Sequence, residues 1–190
     1  MSIALDRAPK PTPQDAIALA RRKWLRGESV DMGALATELD TSRATLYRWV
    51  GSRERLIGEA LWSLFSEIFE EGKARASGSG AALIHQVFEH GLRTMGASPA
   101  MRAFIARDPE YALRVLTSKA SVVQGRAIAA FRDLIAEQPG YTHPLDPDTL
   151  AYLTVRIAES FLYTDVITGG EPDLDKAVAA LAVMLGTEPK

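Results

Sequence analysis

Between Ser42 and Arg53 the chain gathers side chains suited to gripping a nucleic acid: Ser42, Arg43, Thr45, Tyr47, Arg48 and Arg53, with no acidic residue among them. A guanidinium can donate two parallel hydrogen bonds to O6 and N7 of guanine, worth roughly 1–3 kcal/mol of discrimination per good pair. The hydroxyls of Ser42, Thr45 and Tyr47 suit phosphate oxygens or contacts beside a thymine methyl. Arg53 opens the next helix, where free amides and a cation can hold a phosphate together. A second cluster, His85-Gln86-Val87-Phe88-Glu89-His90, invites a metal reading. Its spacing is one residue longer than the inverted zinc motif, and His90 lies off the face that His85 and Glu89 share. Too few ligands converge for a closed site, so no metal is expected. There is no G-x-S-x-G elbow and no phosphate-cradling glycine loop, so no catalytic residue and no cofactor is assigned.

Such side chains read DNA only from a short helix held rigidly from behind. Thr12-Pro13 supplies an N-cap and a proline at the first helical position, and Ile17, Ala20 and Trp24 share one face of the helix that follows until Gly27. Asp31 can cap a second helix with Leu35, Ala36 and Leu39 inward, and Ser42 a third with Leu46 and Val50 inward at i, i+4. Together these apolar residues predict a three-helix core that leaves Arg43, Thr45, Tyr47 and Arg48 facing out. Gly51-Ser52 breaks the chain, and a long amphipathic helix is expected over 53–76 with a stripe from Leu56 and Ile57 to Ile68 and Phe69.

Ser77-Gly78-Ser79-Gly80 reads as a joint, followed by helices near 81–97, 99–107, 109–117, 119–138, 147–168 and 173–186. No segment alternates with period 2, so the expected fold class is all-α. The expected division is a flexible arm over 1–11, a helix-turn-helix DNA-binding domain over 12–52, and a helical body over 53–190.

Composition narrows the function classes. Hydrophobic residues make up 47% of the chain, enough for a sizeable core, and the absence of cysteine excludes disulfides and thiolate metal sites. With no signal peptide and no apolar run of membrane-spanning length, a cytoplasmic protein without a membrane partner is expected. Residues 1–55 hold 10 Lys/Arg against 7 Asp/Glu, whereas residues 56–190 hold 12 against 17. A basic head on an acidic body is the asymmetry expected when only the head meets phosphate.

The run Ser42-Arg43-Ala44-Thr45-Leu46-Tyr47-Arg48-Trp49-Val50-Gly51-Ser52-Arg53-Glu54-Arg55-Leu56, with Leu35-Ala36 before it, resembles the TetR family of bacterial transcriptional regulators. The pattern T-L-Y-x-x-[FWHV]-x-x-[KR]-x-x-L falls on residues 45–56, and the diagnostic likeness covers 12–65. The resemblance implies an N-terminal helix-turn-helix domain and a C-terminal domain for ligand binding and dimerisation. It implies base- and phosphate-contacting roles for Arg43, Ala44, Thr45, Tyr47, Arg48 and Arg53; Trp49 matches a position that touches the DNA backbone or joins the core. Asp40 departs from the glycine usual in the turn, and asks Asp to adopt left-handed geometry. The strip Phe104-Ile105-Ala106-Arg107-Asp108-Pro109-Glu110-Tyr111 is similar to a QsdR-like subgroup that controls lactone breakdown, which implies a lactone with an aliphatic tail as effector.

For the body, the expected effector-binding residues are His85, Phe88, Leu92 and Met95 on one helix, Phe104, Tyr111 and Leu116 on short helices, and Arg156, Glu159 and Tyr163 on a later one. Arg156 and Glu159, spaced i, i+3, can equally pair with each other. The expected homodimer seam is Leu150, Leu153, Ile157 and Phe161 with Leu174, Val178, Leu181 and Leu185, with intrachain core as the alternative use of such stripes. The partners implied are a double-stranded DNA operator, a small-molecule effector and a second copy. The mechanism implied is a repressor released when the effector favours a head spacing that no longer fits DNA. A helical protein-interaction module or a zinc-dependent hydrolase, neither binding DNA, is the alternative reading.

Overall fold

The computed structural model describes residues 10–187, so the expected arm lies largely outside the described residues. Eleven helices and no strand occur among them: α1 Pro13–Leu25, α2 Met32–Glu38, α3 Arg43–Val50, α4 Arg53–Arg75, α5 Gly80–Ala97, α6 Pro99–Arg107, α7 Pro109–Thr117, α8 Val122–Ala136, α9 Pro147–Leu162, α10 Thr164–Thr168 and α11 Leu174–Leu185. None is long and apolar enough to cross a membrane.

Local chemistry sets most boundaries. Thr12 accepts from the Asp15 amide while Asp15 accepts from the Thr12 amide, a reciprocal capping box ahead of Pro13. Asp31, Ser42 and Ser52 accept from the amides of Ala34, Thr45 and Arg55, so α2, α3 and α4 each start on a side-chain oxygen. In the turn between α2 and α3, Asp40 is the one non-glycine residue with positive φ among the described residues, at 47°. The Thr41 amide closes that turn on the Ala36 carbonyl at 2.9 Å. Asp thus takes the left-handed place expected of it.

Two expected helices differ. The segment expected at 119–138 starts only at Val122, because Ser121 caps it and donates its hydroxyl to the Val115 and Leu116 carbonyls. The segment expected at 147–168 breaks at Tyr163, whose backbone leaves helical geometry at φ −115° and ψ 20°. There the Thr164 hydroxyl bonds to the Ser160 and Phe161 carbonyls, competing for the groups that would carry the helix on.

Two hydrophobic cores result. The first gathers α1, α2, α3 and the start of α4 around Leu35, Leu46 and Leu56, each 0% exposed, and runs on into Ile105 of α6 and Tyr111, Ala112 and Leu116 of α7. The second holds Phe69, Phe88 and Phe131 with Ile84, Leu150 and Leu181. α4 contributes to both and is the beam between them. Fully burying one leucine side chain contributes about 1.5–3 kcal/mol, so Leu35, Leu46 and Leu56 are a large part of what holds α2, α3 and α4 together.

Candidate nucleic-acid interface and effector cavity

α3 is amphipathic in the sense the reading helix needs. Leu46 and Val50 point into the first core, whereas Ser42, Arg43, Ala44, Tyr47 and Arg48 are exposed and Thr45 is half-buried. The Ser42 hydroxyl is spent locally, accepting from the Thr45 amide and donating to Thr45 Oγ1 at 3.0 Å. Trp49 is partly buried against the first core, in keeping with the core half of its two expected roles. Nearby cations are already paired: Lys23 lies 2.8 Å from Glu38 within the head, and Arg21 2.5 Å from Glu67 on α4. Among the described residues, neither Arg43 nor Arg48 has a carboxylate within ion-pair distance, although the Asp31 carboxyl, held low first by the Ala34 amide, is near enough to feel the Arg43 charge as well.

Arg53 differs from expectation. Its Nε donates to the Val30 carbonyl at 2.6 Å and its guanidinium lies 4.7 Å over the Tyr111 ring. That side chain fastens head to body. What remains for an anion at the start of α4 is the helix N-terminus and the Nη groups of Arg53.

The body encloses an apolar cavity between α4, α5, α7, α8 and α9. Phe65, Phe69, Phe88, Leu92, Met95, Phe131 and Leu162 form much of its wall, around a volume of about 70 Å³. Polar groups are few and gathered at one end: Gln124, Glu159 and Tyr163. Gln124 Nε2 donates to both Glu159 oxygens at 3.0 and 3.1 Å, and Arg156 donates to Oε2 at 2.5 Å. Burial pushes the Glu159 carboxyl above the usual carboxylate range despite these donors. Burial, with the Glu159 charge beside it, also pushes the Tyr163 phenol up.

Of the expected effector residues, Phe88, Leu92, Met95, Leu116, Glu159 and Tyr163 line this cavity. The others are corrected. His85 turns to α11, its Nε2 3.1 Å from the Val178 carbonyl. Phe104 and Tyr111 belong to the first core, edge to face at 6.3 Å, with Phe104 also against Trp24 at 6.2 Å. Arg156 reaches the cavity only through Glu159. Sequence reasoning missed Phe65, Phe69, Phe131 and Gln124. Gln124 carried a signal, as a lone amide among the apolar residues opening α8.

The seam expected from apolar stripes is corrected at three of its positions. Leu150 and Leu181 are 0% exposed and Leu185 4%, all inside the second core, so they are not available to a second copy. Ile157, Phe161, Leu174 and Val178 are partly buried against that same core, and only Leu153 stands outside it. The exposed apolar residues of α9 and α11 are Tyr152 at 50% and Val183 at 69%. The metal cluster likewise separates. Glu89 pairs with Arg93 at 2.8 Å, His90 faces Glu71 at 3.7 Å, and His85 is on Val178.

Comparison with known proteins bears on the same residues. The tetracyclin repressor-like C-terminal domain family matches residues 79–186. No curated protein matches the chain. Among solved structures, the transcriptional repressor QsdR of R. erythropolis, from the TetR family, is similar at 28% identity and TM-score 0.86, covering 94% of this chain and 96% of that one. The TetR family repressor AlkX of Dietzia sp. strain DQ12-45-1b, implicated in biodegradation of n-alkanes, shares the fold at 22% identity and TM-score 0.66, with 94% and 96% covered. The chain therefore belongs to the TetR family of transcriptional regulators, DNA-binding proteins rather than enzymes.

Proposed function

We propose that this regulator is a homodimeric repressor that holds a palindromic operator through α3 and lets go when a small hydrophobic effector enters the body cavity. The observation carrying the DNA half is the pair Arg43 and Arg48, exposed and without carboxylate partners on a helix whose other face is locked by Leu46. Thr45, Tyr47 and the amides around Ser42 and Ser52 then position the helix on phosphates. In this reading residues 12–52 act as the head and 53–190 as the body, with α4 transmitting between them.

Two heads must reach successive major grooves, about 34–36 Å apart, which asks for a symmetric pair of chains. Tyr152, Leu153 and Val183 on α9 and α11 are the apolar residues left outside the core to meet a copy of themselves. The effector class follows from the cavity wall: a long apolar run with carboxyl, amide and phenol at one end suits an aliphatic tail carrying a compact polar head. A lactone with an aliphatic tail meets that description. The cavity is narrow, so a ligand of that size must push its walls apart, and displacement of α4 would carry the head with it. Such release requires tighter binding to the DNA-incompetent state than to the DNA-bound one.

Selection from a pool of random duplexes tests the reading. Enrichment of an inverted repeat with half-sites one turn apart is expected, with affinity falling steeply as salt rises. Recovery of no motif would overturn it. The effector half stands on calorimetry with an aliphatic lactone series, and fails if no member binds while another metabolite class releases DNA.

A further inference from the structure

We propose that a second ligand site, built for a short organic carboxylate, lies where the head meets α6 and α7. A cavity of about 170 Å³ opens there, separate from the effector cavity and sharing none of its lining residues. Its walls come from both sides of the junction: Trp24 and Val30 from the head, Arg53 from the start of α4, and Phe104, Arg107 and Tyr111 from the body.

Two residues of this wall each carry a buried polar atom with no hydrogen-bond partner: Trp24 Nε1 and Tyr111 Oη. The two residues are 5% and 8% exposed. An indole N–H can only donate, so whatever satisfies Trp24 must accept. Two guanidinium groups add to the donors. Arg53 uses Nε on Val30, and Arg107 uses Nη2 on the Gly27 carbonyl, so each retains further N–H groups. Among the described residues neither has a carboxylate within ion-pair distance, and Asp31, near enough on the head side to feel the Arg53 charge, is spent as the cap of α2.

The two acids lining the cavity are already engaged. Asp108 accepts from the Tyr111 amide at 3.0 Å as the cap of α7, and Glu28 lies 3.6 Å from Lys23 and 3.9 Å from Arg26. The unmet demand is therefore for an acceptor, and the spare N–H groups of the two guanidinium groups favour a carboxylate oxygen in that role. Val30, Ile57 and Phe104 make the remaining wall apolar, which favours a carboxylate with a short hydrocarbon part over an inorganic anion.

An acid held here would touch head, beam and body at once. Granting the DNA-binding reading above, its binding and operator binding are then coupled, and reciprocally so.

The indole N–H resonances of the protein give the direct test, with Trp24 distinguished from Trp49 and Trp62 by single Trp→Phe changes at the latter two. Titration with acetate, butyrate and benzoate is expected to shift the Trp24 N–H saturably. Butyramide and inorganic phosphate at equal concentration are expected to leave it in place. Arg107→Gln, an exposed position, is expected to weaken the response about tenfold, and Tyr111→Phe to weaken it while retaining the ring. No saturable shift with any of the acids would overturn the site, and so would an equal shift with the amide, which marks polar filling alone. A larger shift with phosphate than with butyrate would overturn the assignment to organic acids. These readouts use no DNA, so they stand apart from the operator experiment.

Discussion

The outer edge of α3 and the interior of the body solve opposite problems. On α3 the donors are exposed, without an ion-pair partner among the described residues and fixed on a rigid support, because reading base edges demands set positions and no reorganisation. In the body cavity the wall is apolar, with Phe65, Phe69, Phe131 and Met95 around a single buried carboxyl, an arrangement that on the proposed reading encloses the ligand. The first core joins the two: Tyr111 of α7 packs in the same cluster as Trp24 and Leu46, and Arg53 ties the Val30 carbonyl to the Tyr111 ring. A rigid edge at one end and an enclosing cavity at the other, with a shared core between, is what a ligand-controlled DNA reader requires.

The contrast is most strongly broken by emptying the support. Leu46→Ala, at a position 0% exposed, is expected to cost about 2–5 kcal/mol, read as an early midpoint in urea unfolding. A milder probe of the same support is Ser42→Ala. It removes the acceptor of the Thr45 amide and should cost about 1 kcal/mol, again by urea unfolding, with operator binding weakened because the first turn of α3 frays.

At the other end, Gly91 lines the cavity and a Cβ there would meet nothing within 4 Å. Gly91→Ala is expected to stabilise α5 by about 0.5–1 kcal/mol, visible as a raised melting temperature. Gly91→Leu should leave operator binding intact while weakening effector binding in calorimetry. The subtlest difference is in pH. Because burial raises the folded-state pKa of Glu159, the folded chain holds that proton after the unfolded chain has lost it. Stability from this group therefore declines as pH rises from the ordinary glutamate value through the raised one. Glu159→Gln is expected to flatten that part of a melting-temperature profile.

These regions also differ in how far the chain announces them. The head is written in neighbours: Thr12, Asp31, Ser42 and Ser52 cap the amides three residues on, and Leu46 and Val50 lie one turn apart, so i, i+3 and i, i+4 spacing suffices. Even Asp40 could be placed, since one turn with one special backbone geometry demanded it. Arg53 could not, because its partners Val30 and Tyr111 come close only in the folded chain. The cavity is assembled from five helices, and no local pattern says that Phe131 on α8 faces Phe69 on α4, 5.2 Å away. An apolar stripe is also silent about its partner. Leu150 and Leu181 satisfy the spacing of a dimer seam and of a core equally, and the packing of α5 and α8 against them decides for core. The break at Tyr163 was hidden because hydroxyl competition at Thr164 depends on geometry rather than on a helix-stopping residue.

The most direct test compares wild type with Arg43→Glu/Arg48→Glu on the selected duplex, with circular dichroism melting alongside. The account predicts operator affinity lowered by about a hundredfold or more, as expected for losing two base contacts of 1–3 kcal/mol each, with the melting temperature unchanged. Undiminished binding by the charge-reversed protein would contradict it.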